Sequence, residues 1–276
     1  MAQASGDESD ALVRAFQAEG AVIVRGLFCA EEIALAREGI EANLADPSPR
    51  ALVASQTGDT GRFFEDFCNW TRNAAYARFV AASPAAEMAQ RLMRAKVVRF
   101  HHDHLLVKEA GTRQPTPWHQ DQPYYNIEGA QTCSMWMPVD PVPVESSLRF
   151  VAGSHLGPWL MPRSFMDRES RWFPEGSLAE LPDIDGDPDT HRVLTWALEP
   201  GDAIFFHMLA LHSAGGSATR RRVLSLRFIG DDVVHAPRPW KTSPDFPGLA
   251  AELPAGAPMD HPLFPVVWPR GASLGG

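Results

Sequence analysis

His119 and Asp121 stand two positions apart in Trp118-His119-Gln120-Asp121-Gln122. On an extended strand, side chains at i and i+2 leave the same face, so this spacing predicts an imidazole beside a carboxylate. These are two donors of the two-His-one-carboxylate triad, which binds Fe(II) and leaves positions open for a substrate and oxygen. The third donor must come from elsewhere, and the chain has ten histidines. His101, His102 and His104 cluster on the preceding strand. His155 lies in a turn, Gly153-Ser154-His155. His207 and His212 flank Met208-Leu209-Ala210-Leu211, after the apolar run Ala203-Ile204-Phe205-Phe206. His207, directly on that run, suits a hydrogen bond in the wall. His212, at a strand end past a turn, suits a position facing His119 across a barrel mouth, with His155 as its rival.

A second group with chemical potential is Arg220-Arg221-Arg222, opening Val223-Leu224-Ser225-Leu226-Arg227-Phe228. Alternation puts Arg221, Val223, Ser225 and Arg227 on one face, and Leu224, Leu226 and Phe228 on the other. An arginine turned into a barrel is costly unless it meets an anion, and a guanidinium–carboxylate pair meets that need. In an iron oxygenase the anion is the far carboxylate of 2-oxoglutarate. A solvated basic turn accounts for two of the three arginines more easily than for all three.

The elements that position these residues fall into two parts. Helices are expected over Asp10 to Glu19, about Ala30 to Leu44, and from Ser83-Pro84 to about Met93, with the short β-rich run Ala21-Val22-Ile23-Val24 between the first two. From Lys96 onward the chain reads as strands and turns: Val97 to Phe100, Leu105 to Val107, the His119 strand, Thr132 to Val139, Leu148 to Ala152, Val193 to Leu198, Ala203 to Phe206 and Val223 to Ile229. The pattern predicts a single, mainly β domain: a jelly-roll core over about 96–236, a helical flank over about 1–95, and a tail over 237–276. From Pro237 onward the chain carries nine of its 24 prolines, suiting an extended wrap. Residues 163–192, rich in Arg, Asp, Glu and Pro, are too long for a plain turn and read as a lid ahead of a surface loop.

Composition narrows the partners. A formal charge of −9 argues against nucleic acid, because phosphate binding needs a basic face. No window has the apolar length of a membrane span, and the first ten residues are small, polar and acidic, so the cytoplasm is the expected location. Cys29, Cys68 and Cys133 are scattered and odd in number, which disfavours disulfides and a thiolate zinc site. A small free metabolite is the expected substrate. Trp118, Tyr124, Tyr125 and Trp136 offer an aromatic wall near the metal residues, and Arg149, Lys108 and the 163–192 insert offer charge.

Taken together, these residues resemble the phytanoyl-CoA dioxygenase family of Fe(II)/2-oxoglutarate oxygenases over most of the chain. The resemblance is carried by Phe16 and Glu19-Gly20-Ala21-Val22-Ile23-Val24-Arg25-Gly26, then Trp118-His119-Gln120-Asp121 and Ser134-Met135-Trp136. It continues through Gly153-Ser154-His155, Gly201-Asp202, Phe206-His207, His212-Ser213 and the arginine strand. It implies a double-stranded β-helix, with His119, Asp121 and His212 on Fe(II), and Arg221 on the far carboxylate of 2-oxoglutarate. It further implies Trp136 and Gln120 nearby and His104 at a co-substrate contact, and it sets His155 aside as a turn residue. The chain departs from the family where His212-Ser213-Ala214-Gly215-Gly216-Ser217 replaces the usual His-Gly-Ser. Ser213 or Ser217 then stands in for the lost hydroxyl, and the shortened segment leaves Arg220 and Arg222 as neighbours in register. A carboxylate at Asp121, where halogenating relatives carry a small residue, implies hydroxylation of an unactivated C–H, with succinate and CO2 as co-products.

Two other classes of function would use the same residues differently. A cupin-like isomerase or hydrolase would hold a divalent metal as a Lewis acid and would need no inward Arg221. A metal-free binding module would leave His119 and Asp121 as hydrogen-bonding partners.

Overall fold

In the computed structural model, residues 6–55, 58, 60–162 and 173–271 are described. The chain begins with α1 (Gly6–Glu19). This helix stops at Gly20, whose φ of +82° suits glycine and whose missing Cβ leaves room for the His155 ring. After β1 (Ala21–Val24) come α2 (Ala30–Ala45), β2 (Leu52–Val53), β3 (Phe63–Phe67), α3 (Ala74–Ala82) and α4 (Ala85–Met93). Then follow β4 (Val98–Lys108), β5 (Thr116–His119), β6 (Ile127–Glu128), β7 (Thr132–Pro138), β8 (Leu148–Val151) and β9 (Val193–Thr195). The rest comprises β10 (Ala203–Phe206), β11 (His212–Ala214), β12 (Arg221–Ile229), β13 (Val234–His235), α5 (Leu249–Glu252) and β14 (Val266–Trp268).

All the strands but β6 and β13, which pair with each other, form two facing sheets. The larger runs β1-β10-β7-β12-β4-β3-β2, with β14 also on β4; the smaller runs β5-β11-β8-β9. Alternation sorts their side chains. On β12, Leu224, Leu226 and Phe228 point outward into the layer formed with Phe16, Ile40, Tyr76, Phe79 and Leu92 of the helices. Val223 points inward, against Trp136, Ile204 and Phe206 of the large sheet and Leu148 and Phe150 of the small one. Helices on the outer face and a second sheet on the inner face give the expected jelly roll. The ends of β1 and β10 are tied by Asp202, whose carboxylate accepts from Gly26 N (2.9 Å) and Arg25 (2.7 Å).

Several boundaries differ from the sequence reading. Besides the expected β1, which pairs with β10, the N-terminal part contains β3, which pairs with β4 in the large sheet. The two strands expected around His101–His104 are one eleven-residue strand, β4. The tail, expected to wrap in extended form, carries turns and the short helix α5 and adds β14 against one end of β4. Of the 163–192 insert, 163–172 lie outside the described residues. Leu181 and Ile184 in the remainder pack with Trp118, Val151 and Leu211.

Candidate metal centre

β5 and β11 are antiparallel neighbours, and their register sets His212 directly across from His119. The ring centroids lie 4.2 Å apart. Each imidazole uses Nδ1 on a backbone carbonyl: His119 with Pro117 O at 2.8 Å and His212 with Ala210 O at 2.9 Å. Such a bond places the proton on Nδ1 and turns Nε2 toward the cavity as a lone pair, the tautomer a metal ligand needs. Burial first, and then the neighbouring His119, pushes His212 down to about 3, so it stays neutral across the physiological range.

Asp121 does not continue the strand. β5 ends at His119, and Asp121 (φ −71°, ψ −45°) starts a 3₁₀ turn. The N–H groups of Asp121 and Gln122 both donate to Met208 O, at 2.8 and 3.0 Å, which fixes the bend. The expected shared face is reached through a turn rather than through strand alternation. Asp121 Oδ1 comes within 3.5 Å of His119 Nε2 and 3.7 Å of His212 Nε2. The donor atoms of His119, Asp121 and His212 lie within 4.8 Å of one another, the one such cluster among the described residues. Burial works against the Asp121 carboxylate, but Arg227 and the two imidazoles outweigh it and hold the group well below the usual range. Two imidazoles and one carboxylate, all at least half enclosed, fit a divalent iron.

The inward residues of β12, β4 and β3 line the cavity beyond these ligands. Arg221 is buried, its Nη1 donates to Ser146 O, and its guanidinium lies 5.4 Å from the centroid of the Trp136 ring. Its Nε has no partner, an orphaned donor that a carboxylate would satisfy. Lys108 is Arg221's register partner on β4; its Nζ donates to Gln114 O and Gly215 O, both at 2.8 Å. Two buried basic side chains on paired strands suit a dianionic co-substrate. Arg222 instead pairs with Asp140 and Glu41, and Arg220 reaches Glu41, so Arg221 is the inward member of the trio. His104 also faces inward, stacked on Phe67 (4.0 Å) with Nε2 3.2 Å from Glu65.

Other sequence candidates are placed elsewhere. Gln120 turns away from the cavity: its amide donates to Leu209 O (3.0 Å) and Pro158 O (3.2 Å), and its carbonyl accepts from Leu160 N (2.8 Å). It braces a loop, because its neighbours in sequence, His119 and Asp121, take the inward directions. Ser213 lies between the inward His212 and Ala214, so it faces outward, where its hydroxyl accepts from Arg149 Nε (3.3 Å). Trp118 is on that outer face as well, under the Arg149 guanidinium (4.7 Å) and donating to Asp185 (3.1 Å). Trp118, Arg149 and Ser213 thus line an outer groove of about 440 Å³ rather than the metal cavity. Ser217 is engaged with Thr219 O (2.7 Å). Tyr124 stays close, its ring edge-on to His119 at 6.0 Å. Tyr125 accepts from Arg227 Nε through its hydroxyl at 3.1 Å.

His155 and His207 are structural. His155 sits against Gly20 with Nε2 on Gln17 O (3.2 Å), and His207 Nε2 meets Ala130 O at 2.7 Å. Sequence reading put Arg227 inward but gave it no role, and left Ser134 without one. Both contact Asp121 Oδ2, Arg227 through Nε at 3.1 Å and Ser134 through Oγ at 3.0 Å. The available signal was alternation: Ser134 is two positions from Trp136 and Arg227 six from Arg221.

Comparison with known proteins agrees with this geometry. The family model for phytanoyl-CoA dioxygenase (PhyH) matches residues 16–223. The chain is 24% identical to the ectoine dioxygenase of Stutzerimonas stutzeri (strain A1501), over 90% of this chain and 85% of that one. It is 29% identical to a probable phytanoyl-CoA dioxygenase of Caenorhabditis elegans, over 42% of this chain and 37% of that one. Among solved structures it resembles the non-haem α-ketoglutarate-dependent epimerase SnoN from nogalamycin biosynthesis, with TM-score 0.73, 23% identity, and 95% and 98% of the two chains covered. The carbocyclase SnoK from the same biosynthesis matches with TM-score 0.72 and 22% identity, covering 93% and 95%. Among the described residues no helix is long and apolar enough to cross a membrane.

Proposed function

The chain belongs to the phytanoyl-CoA dioxygenase family, and from that membership we propose an Fe(II)/2-oxoglutarate-dependent oxygenase that hydroxylates an unactivated C–H of a small-molecule metabolite or natural-product intermediate. The observation that carries this reading is a three-donor cluster together with a buried, anion-seeking arginine on the inward face of β12. His119, Asp121 and His212 supply the donors, and Arg221 holds an orphaned Nε.

When bound, iron and 2-oxoglutarate supply the oxidising power, with oxygen reduced and 2-oxoglutarate converted to succinate and CO2. The rest falls to the chain. His119 Nε2, His212 Nε2 and Asp121 Oδ1 hold the metal from one side. Arg221, joined by Lys108, attracts the far carboxylate of the co-substrate and sets its direction. Trp136, packed beside the guanidinium, and the apolar Val223, Phe150 and Phe206 exclude bulk water. Tyr124, edge-on to His119, supplies an aromatic contact for a substrate near the metal.

The solved neighbours include an epimerase and a carbocyclase, so the outcome of the oxidation is the finer question. It is tested by supplying Fe(II), 2-oxoglutarate, oxygen and a panel of small metabolites, following succinate release and product mass. Hydroxylation predicts substrate-dependent succinate and a product heavier by one oxygen atom. Succinate release with a product of unchanged mass, or lighter by two hydrogens, would replace hydroxylation by epimerisation or by ring closure or desaturation.

A further inference from the structure

Asp121 is held from behind. While Oδ1 faces the two imidazoles, Oδ2 is ion-paired with Arg227, whose Nε lies 3.1 Å away, and accepts a hydrogen bond from Ser134 Oγ at 3.0 Å. Arg227 is itself immobilised: it is buried on β12, and its guanidinium also meets the Tyr125 hydroxyl (3.1 Å) and the Ser225 hydroxyl. Strand register brings these parts together, since Arg227 stands across from Ser134 on β7. A buried arginine spent on a carboxylate already committed to a metal is an expensive arrangement unless the second oxygen must be kept occupied.

Resting on the oxygenase reading, we infer that Arg227 is a positioning residue that keeps Asp121 a one-oxygen ligand. The reason lies in counting donors. Two imidazoles and one carboxylate oxygen would leave positions on iron open for a co-substrate and a diatomic gas. A carboxylate that swung to present both oxygens would take the last of these. Arg227 and Ser134 close off that swing by binding Oδ2, and Tyr125 and Ser225 stop Arg227 from following it. The same contact draws negative charge away from Oδ1, so the carboxylate is a weaker donor than a free one.

The test uses nitric oxide, which occupies an open iron position and gives an electron paramagnetic resonance signal without turnover. The full-length protein is loaded anaerobically with Fe(II) and 2-oxoglutarate and then titrated with nitric oxide, alongside Arg227→Met and Arg227→Gln. Both variants are expected to keep the visible band of the iron–2-oxoglutarate complex. Their nitric oxide affinity is expected to fall by about tenfold or more, the scale on which outer partners of metal ligands act, with a broadened signal. Should Arg227→Met fail to fold, Arg227→Gln keeps a polar end in the polar cavity and carries the same expectation. A nitric oxide affinity within about twofold of the parent in a folded variant that keeps the band overturns the inference alone. A parent protein with no band overturns the oxygenase reading and the inference with it.

Discussion

His119 and His212 are register partners across an antiparallel strand pair, with each Nδ1 bound to the carbonyl two residues before it in its own chain. This repeated device presets both imidazoles before any metal arrives. It also explains why a metal centre is built on the smaller sheet: two short strands place both rings, and only the carboxylate has to be brought in by a turn.

Arg221 should separate co-substrate binding from stability. Arg221→Met is expected to weaken 2-oxoglutarate binding by about 10- to 100-fold, the worth of a charge-assisted hydrogen bond, while leaving metal affinity unchanged. Without 2-oxoglutarate the variant is expected to melt at or above the parent, because the change removes a buried cation and its orphaned Nε. Thermal melts with and without 2-oxoglutarate check both halves. A variant that melts lower and binds 2-oxoglutarate normally would remove Arg221 from the site.

Lys108 should make co-substrate binding pH-dependent. Burial, and then the Arg221 charge beside it, pushes Lys108 down to about 6, so in the free protein it loses its proton as pH rises through about 6. A bound dianion favours the ammonium form, so above that pH binding must take up a proton. Affinity therefore falls as pH rises, by up to about tenfold per pH unit, and levels off below about pH 6. Lys108→Met is expected to flatten the profile. Titrations across this range check it, and a flat parent profile would contradict it.

The folding consequence of the same shift has the opposite slope. Lys108 binds its proton more weakly folded than unfolded, so stability rises with pH from about 6 toward the lysine's ordinary value and the penalty is complete below about 6. In the absence of 2-oxoglutarate, Lys108→Met should reduce the slope of stability against pH in that window, read by denaturant unfolding at several pH values.

Gln120 and Ser213 should be silent toward the co-substrate. Gln120→Ala removes three hydrogen bonds, a buried one to Leu209 and part-buried ones to Pro158 and Leu160, and is expected to cost about 1–3 kcal/mol of stability. Ser213→Ala loses only a contact to Arg149. Neither variant should change 2-oxoglutarate affinity by more than about twofold. A large change would return these residues to the cavity.

What was legible in the sequence follows from where its polar residues point. Donor types and spacing identified His119 and Asp121, although the shared face comes from a bend pinned by Met208, a partner too distant for local pattern to reveal. Alternation on β12 separates Arg221, Val223, Ser225 and Arg227 from Leu224, Leu226 and Phe228 as the structure does, because one face of that strand is wholly apolar. β4 read as broken because His102, His104 and Lys108 point into a polar cavity rather than a core. β3 was missed for the same reason: Glu65 and Asp66 look like surface residues, yet Glu65 meets His104, and Asp66 accepts from Asn43 and Ser48. Trp118 is suggested by nearness in sequence, Gln120 and Ser213 by the family resemblance and Arg149 by its charge, and none of these says on which side of a strand a residue lies.

The most direct test of the central claim is the visible charge-transfer absorption of the purified protein under argon with Fe(II) and 2-oxoglutarate, repeated with His119→Ala and Arg221→Ala. A band is expected in the parent, with its loss in His119→Ala and a weaker band in Arg221→Ala that recovers at higher 2-oxoglutarate concentration. A fully metallated parent with no band would contradict the assignment of iron, co-substrate and site together.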